Sequence, residues 1–227
     1  MLTRAPRPDV SLRVWIERPD RAPTRTLVML AGGSGKLGVG RHGLAAHAQD
    51  GVLARTRQAW LDAGFQLAYV DVPSDHADGL EGFRRSSDHA DDLRDVIAEL
   101  RARDPVPLWL VGTSRGTISA ANAAARLGPP ARGGPDGVVL CSPVTEGKHE
   151  TLDGVALADI AVPVLVVEHR GDGCSASPPA GARRLDRLLR RSPRHALSWL
   201  GQASRAREDD PCESQTRHGY LGLESEL

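Results

Sequence analysis

The sequence predicts an α/β fold with a mainly parallel sheet and helices on both faces. Short, continuously apolar runs alternate along the chain with longer stretches that have helical periodicity. Most of these runs are apolar on both faces, which is typical of parallel strands covered by helices on two sides. The 227 residues are 40% hydrophobic, enough for one core, so we expect one domain over residues 1–227.

Seven segments are predicted as strands. Residues 10–16 alternate between apolar and polar positions, as a half-buried strand does. Residues 26–31 are almost entirely apolar and end at a glycine-rich stretch, and residues 65–70 end at Asp71. The remaining predicted strands are residues 106–111, 137–141, 162–168 and 195–200.

Five segments are predicted as helices. Residues 52–63 are followed by Gly64, a common residue at a helix end. Ser86 and Ser87 are good N-caps for a helix through residue 101, whose leucines and isoleucine lie on one face. Small residues dominate residues 115–127. Residues 178–190 are predicted as an arginine-rich amphipathic helix and residues 220–227 as a final helix.

Charge and hydropathy give no indication of a nucleic-acid or membrane partner. Lys plus Arg and Asp plus Glu both number 29, so nothing global indicates a nucleic acid or a membrane surface. No apolar run approaches the roughly 20 residues that span a bilayer. Residues 1–8 contain no apolar stretch, so no signal peptide is expected in this chain.

Residues 112–116 read Gly-Thr-Ser-Arg-Gly and match the G-x-S-x-G pattern of a nucleophile elbow. They follow a predicted strand and precede a helix, which is the context that this motif requires. Such a turn holds the serine in a strained conformation and needs small neighbours on both sides. We therefore predict that Ser114 is a nucleophile. The alternative is an ordinary strand–turn–helix with an incidental serine.

With three further motifs, this elbow resembles the α/β-hydrolase superfamily over nearly the whole chain. The chain is similar to a group of small bacterial serine hydrolases that share Ala-Gly-Gly, here residues 31–33, and Asp-Gly-Cys, here residues 172–174. They also share a Pro-Cys…His-Gly-aromatic ending, here residues 211–212 and 218–220. The resemblance implies the α/β-hydrolase fold and a Ser-His-Asp mechanism, with neither a cofactor nor a metal.

In this superfamily the acid and the base follow the serine in that order. Asp172 lies in the loop after the predicted strand 162–168, where the resemblance places the acid; Glu168 is the competitor, within or at the end of that strand. Of eight histidines only His195 and His218 follow Asp172, and His195 opens a strand, so His218 is the predicted base. The other six are interpreted as surface or loop residues: His42, His47, His76, His89, His149 and His169.

A tetrahedral intermediate needs two backbone N–H donors. The first is predicted from Arg115, the residue after the nucleophile. The second is predicted from Gly33, with Ser34 as the alternative, because residues 31–33 stand where many relatives have His-Gly-x. The Arg115 side chain is not assigned to the substrate.

Cys174 and Cys212 are predicted to form a disulfide. Cys174 lies two residues after Asp172 and Cys212 six before His218, so the two cysteines should meet where the acid and base loops meet. Cys141 ends a predicted strand and is expected to be a buried free thiol. A bridge would favour an oxidising compartment, periplasmic or secreted; without it the cytoplasm is the expectation.

These residues predict cleavage of small-molecule carboxylic esters through an acyl-enzyme. Thioesters, lactones and peptides are alternatives on the same triad. Only residues 142–161 separate two core strands where relatives often insert a lid, so we expect a minimal lid or none and a preference for short acyl groups.

Two functions of other classes are less favoured. A non-catalytic binding module would not need the Ser, Asp and His that are all present here. A nucleotide-binding oxidoreductase is suggested by Gly33, Gly35 and Gly38, which match G-x-G-x-x-G. However, no helix opens at once after these glycines and no acidic residue ends a strand about 20 residues on.

Overall fold

A computed structural model describes residues 1–201 and 206–227, and its strands form one sheet. The strands are β1 Leu2–Arg7, β2 Val10–Glu17, β3 Arg25–Leu30, β4 Phe65–Val70, β5 Leu108–Thr113, β6 Gly137–Cys141, β7 Val164–His169 and β8 His195–Leu200. Their order across the sheet is β1-β2-β4-β3-β5-β6-β7-β8. Strand β2 is antiparallel to β1 and to β4, and the other neighbours are parallel. The predicted, mainly parallel sheet is confirmed.

Helices cover both faces of this sheet. They are α1 Val52–Arg55, α2 Arg57–Asp62, α3 Ser87–Arg103, α4 Gly116–Leu127 and α5 Pro179–Asp186. Helices α3, α4 and α5 pack on one face, and α1, α2 and the C-terminal segment pack on the other. As predicted, Ser86 caps α3, because its side chain accepts the N–H of His89.

The alternation along β3 shows why residues 27–30 are all apolar. Val28 and Leu30 point into the core with α3 and α4, whereas Leu27 and Met29 point into the core on the opposite face. Burial of each such side chain contributes about 1.5–3 kcal/mol. A strand covered on two sides needs apolar residues at consecutive positions.

The order of the strands places a crevice at the carboxyl ends of β3 and β5. These two strands are neighbours, with Leu30 opposite Gly112, but the chain leaves β3 towards β4 and leaves β5 towards β6. Connections that diverge in this way open a crevice, which is where ligands bind in open α/β sheets.

Several predicted elements differ from the structure. Strand β1 was not predicted, and the helix predicted over residues 52–63 is two short helices that meet at Thr56. Helix α5 ends at Asp186 rather than residue 190. The helix predicted over residues 220–227 is wrong, because Tyr220 has φ +56° and Gly222 has φ +80°, which a right-handed helix cannot accommodate.

Two histidines interpreted as surface or loop residues are buried. His89 is 3% exposed on α3, and His169 is 3% exposed at the end of β7. Both ring nitrogens of His89 are buried without a hydrogen-bond partner among residues 1–201 and 206–227. Burial lowers the pKa of His89 to about 3, so its ring is neutral in the folded protein. In the described part of the chain, no helix has both the length and the hydropathy to cross a membrane.

Candidate active site

Ser114 lies on a strained turn at the end of β5. Its φ is +50°, a left-handed conformation that a residue with a side chain rarely adopts. The two flanking glycines permit it: a Cβ on Gly112 would collide with the backbone of Gly116, and one on Gly116 would collide with the Leu30 carbonyl. The Ser114 N–H donates to the Cys141 carbonyl across 2.9 Å, which fixes the turn against β6.

Asp172 and His218 are in direct contact. The distance from His218 Nδ1 to Asp172 Oδ2 is 2.8 Å, and both side chains are almost fully buried. The other carboxylate oxygen of Asp172 accepts the N–H of Cys174 across 2.8 Å. Asp172 is therefore held by its own loop and faces the imidazole.

Ser114 and His218 line the same cavity, which has a volume of about 630 Å³. The Nε2 atom of His218 is buried and makes no hydrogen bond within the described residues. Ser114 and His218 thus share a cavity, but they are not hydrogen-bonded to each other.

The predicted disulfide joins the loop of Asp172 to the segment that precedes His218. Cys174 and Cys212 are bonded, with their Cα atoms 4.5 Å apart, and both line the cavity. Cys141 is the buried free thiol that was expected, and burial raises its pKa to about 12. It therefore stays a neutral thiol at physiological pH.

Tyr220 and Ser142 anchor the segment of His218 to the sheet, which the sequence did not predict. The Tyr220 hydroxyl accepts the N–H of Ser142 across 2.7 Å and donates to the Val167 carbonyl across 2.8 Å, so it bridges the ends of β6 and β7. The Ser142 hydroxyl donates to the carbonyl of His218 itself across 2.8 Å. These buried bonds fix the backbone that carries the imidazole.

The loop after β3 lies directly against Ser114. A Cβ on Gly32 would lie 2.9 Å from the Cβ of Ser114, so only glycine allows this approach. Gly33 and Arg115 both line the cavity, and their N–H groups make no hydrogen bond to any described residue. The Arg115 side chain lies 3.6 Å from a carboxylate oxygen of Glu81.

Arg84 supports this loop and was missed by sequence reasoning. Its side chain is buried, and it donates to the carbonyls of Ala31 and Gly33 across 3.3 and 3.1 Å and to the Ser119 hydroxyl across 3.0 Å. Burial lowers the pKa of Arg84 to about 10, so it is still protonated at neutral pH. Arginine in a loop is usually exposed, so composition alone gave no signal.

One continuous segment, residues 37–54, forms an apolar wall of the cavity. Its apolar lining side chains, with one from β4, are Leu37, Leu44, Ala48, Val52, Leu53, Ala54 and Tyr69, and the polar His47 of the same segment also lines the cavity. The buried carboxylate of Asp71 accepts the N–H groups at the start of this wall, those of Leu37, Gly38 and Val39, across 2.7–3.3 Å. Residues 142–161 contain only two single-turn 3₁₀ helices, so no multi-helix lid lies there.

Glu168, the competing acid, is fully buried at the end of β7. It accepts the N–H of His169 across 2.9 Å and lies beside Asp172. The carboxyl hydrogen-bonded to His218 is that of Asp172, not that of Glu168. Within the described residues, no three His, Cys, Asp or Glu side chains group as metal ligands.

Solved structures similar to this chain have the α/β-hydrolase fold. An α/β serine hydrolase without a lid from Xanthomonas campestris is 18% identical with a TM-score of 0.63, and the match covers 99% of this chain and 91% of that one. A cold-adapted esterase from an Arctic intertidal metagenomic library is 14% identical with a TM-score of 0.52 over 88% of each chain. The acylaminoacyl peptidase of Pyrococcus horikoshii is 14% identical with a TM-score of 0.60, over 96% of this chain but 39% of that one.

No protein-family model matches this chain, and no curated protein matches it in sequence. The similarity to solved structures therefore establishes the fold: a mainly parallel sheet with helices on both faces, as in a hydrolase without a lid.

Proposed function

We propose that this chain, which has the α/β-hydrolase fold, is a serine hydrolase that cleaves small carboxylic esters through an acyl-enzyme. Ser114 is the nucleophile, His218 the general base and Asp172 the acid. The observation that carries the proposal is the 2.8 Å contact between Asp172 and His218 in a cavity that also contains the strained turn of Ser114. A serine on such a turn, together with a buried Asp–His pair, is the arrangement that acyl transfer needs.

Acylation begins when the Ser114 hydroxyl attacks the ester carbonyl carbon. His218 Nε2 takes the hydroxyl proton, and Asp172 stabilises the resulting imidazolium through Nδ1. The tetrahedral intermediate collapses as the C–O bond to the alcohol breaks, and the imidazolium gives its proton to the leaving oxygen. The free and buried Nε2 of His218 supports this role, because its lone pair has no competing donor among the described residues.

Two backbone N–H groups, those of Gly33 and Arg115, bind the negative oxygen of the intermediate. Neither has an acceptor among the described residues, which supports the assignment, since an N–H already bonded could not bind the oxygen. A water molecule, activated by His218 in the same way, then attacks the acyl-enzyme. The acid is released and Ser114 recovers its proton.

The apolar wall of residues 37–54 supports an ester with a small acyl or alcohol group. A cavity of about 630 Å³ is of a size that holds a whole small ligand. The similarity to an esterase and to a serine hydrolase without a lid supports the same class of reaction. The peptidase match covers only 39% of that longer protein, so peptides are a weaker alternative.

The proposal is tested by labelling and by turnover. A fluorophosphonate probe should label the wild-type chain and not Ser114→Ala, with the modified peptide containing Ser114. A panel of short-chain esters, thioesters and lactones should show the highest kcat/KM for an ester. Ser114→Ala and His218→Ala should each lower kcat by about 10³-fold or more, and the double variant should lose little more.

Three results would count against the proposal. Labelling that persists in Ser114→Ala would place the nucleophile elsewhere. Near-full activity in His218→Ala would remove the assigned base. A chain that neither labels nor turns over any member of the panel, and keeps its fold by circular dichroism, would be a binding module.

A further inference from the structure

Glu168 is a buried carboxyl group that the mechanism above does not use. It is 0% exposed in β7, and one of its oxygens, Oε1, accepts the N–H of His169 across 2.9 Å. The other, Oε2, is buried and receives no N–H or O–H donor from the described residues. It does not line the cavity, so it has no contact with a substrate there.

The neighbour of Glu168 is the carboxyl group of Asp172, within hydrogen-bonding reach. Two carboxylates so close, both out of water, cannot both be ionised at neutral pH. The oxygens of Asp172 are the ones that face hydrogen-bonding partners, the N–H of Cys174 and Nδ1 of His218, each across 2.8 Å. Burial and the charge of Asp172 raise the pKa of Glu168 to about 9. Glu168 is therefore the partner that keeps a proton.

We propose that Glu168 is a positioning residue whose protonated carboxyl donates a hydrogen bond to the Asp172 carboxylate and fixes it for His218. The proposal explains the Oε2 atom, which has no donor because it is itself the donor. It rests on the proposed roles of Asp172 and His218. Glu168 acts only through Asp172, and its proton is not transferred in the reaction.

The surroundings of Glu168 determine what happens when it ionises. Cys141 on β6 and Tyr220 on the C-terminal segment both face it, and burial raises their pKa values, so both stay neutral when Glu168 titrates. Among the described residues, Asp172 and its partner His218 are the other titratable groups beside Glu168. Loss of the Glu168 proton removes a donor and adds a negative charge beside Asp172. We expect kcat/KM to fall above about pH 9.

The decisive variants are Glu168→Gln and Glu168→Leu. The amide of glutamine keeps a donor and cannot ionise, so Glu168→Gln should have near wild-type kcat/KM at pH 7 and no alkaline decline. Leucine has no donor, so Glu168→Leu should lower kcat about 10- to 100-fold with a small change in KM. Circular dichroism and a melting curve for each variant establish that it is folded.

A measurement without turnover separates this inference from the proposed function. In protein labelled with ¹³C at the glutamate carboxyls, the Glu168 resonance is the one missing from Glu168→Gln, and it should titrate near pH 9. A resonance that titrates below pH 6, by the ordinary behaviour of glutamate, would overturn the inference. So would an alkaline decline that persists in Glu168→Gln, or a Glu168→Leu variant as active as wild type. If the resonance titrates near pH 9 and the chain has no Ser114-dependent activity, the proposed function fails and the carboxyl pair stands.

Discussion

Arg84 donates from its buried Nη2 to the carbonyl of Gly33 across 3.1 Å, so a cation inside the protein holds the loop that carries a proposed oxyanion donor. Arg84→Met should leave the Gly33 carbonyl unpaired and let the loop move away from Ser114. We expect kcat to fall by about 10- to 100-fold with little change in KM, since the N–H of Gly33 acts mainly in the transition state.

The control for Arg84→Met is the same substitution at the neighbouring residue, Arg85. Arg85 is half-exposed and contacts Glu150, so Arg85→Met should keep full activity. Arg84→Lys should recover part of the loss, because one ammonium can reach some of the three acceptors. Steady-state kinetics that give Arg84→Met a wild-type kcat would contradict a role for this residue in positioning the loop.

The disulfide should contribute mostly to stability. It closes a loop with a sequence separation of 38 residues, for which chain entropy gives about 4 kcal/mol. The double variant Cys174→Ser/Cys212→Ser should therefore lose up to that amount in chemical denaturation. Cys141→Ala keeps the bridge and should lose less. Wild-type protein should show one free thiol under denaturing, non-reducing conditions, and three would contradict the bond.

His89 should make the fold sensitive to acid. Its pKa is about 3 when folded and about 6.5 when unfolded, so the unfolded chain binds one more proton between these values. Stability from this residue is therefore complete above about pH 6.5 and falls as the pH drops towards 3, by at most about 1.4 kcal/mol per pH unit. His89→Leu should flatten this fall in urea denaturation from pH 7 to 4. His42→Leu, at an exposed site, should leave it unchanged.

The wall of residues 37–54 should limit the length of the acyl chain that the proposed esterase accepts. We expect acetate and butyrate esters to be preferred over laurate, because the cavity is finite and each methylene outside it forgoes about 0.8 kcal/mol of burial. Ala48→Phe should narrow the cavity and lower kcat/KM for butyrate more than for acetate. Ala77→Phe, at an exposed site, is the control. A laurate ester with the highest kcat/KM would contradict the size limit.

The sheet was predictable because continuous apolar runs and the glycines around Ser114 follow from local chemistry. The contact of Asp172 with His218 was predicted from the order of acid and base in the superfamily that the chain resembles. The disulfide was predicted from the need for the loops of Asp172 and His218 to meet. Strand β1 was not predictable in this way, because its burial pattern has only Leu2 buried. Its arginines instead form ion pairs with Asp92 and Asp95 of α3, and tertiary partners of this kind leave no local pattern.

The burial of polar side chains was the main feature of the structure that the sequence did not predict. Arg84, Glu168 and His89 belong to residue types that are mostly exposed or only partly buried, so residue type alone did not predict their burial. The acceptors of Arg84 come from distant segments, those of Ala31, Gly33 and Ser119. The C-terminal helix was a different error, because its apolar spacing is real but two residues with positive φ interrupt it.

The separate origins of the wall and the proposed triad have an evolutionary consequence. Residues 37–54 form one continuous stretch between β3 and β4, tied to Asp71, whereas Ser114, Asp172 and His218 come from the ends of β5 and β7 and from the C-terminal segment. Under the proposed function, exchange of that single stretch would change which esters fit without disturbing the proposed triad. Selectivity and chemistry can thus diverge independently, and recombination of this stretch between relatives is a direct route to new specificities.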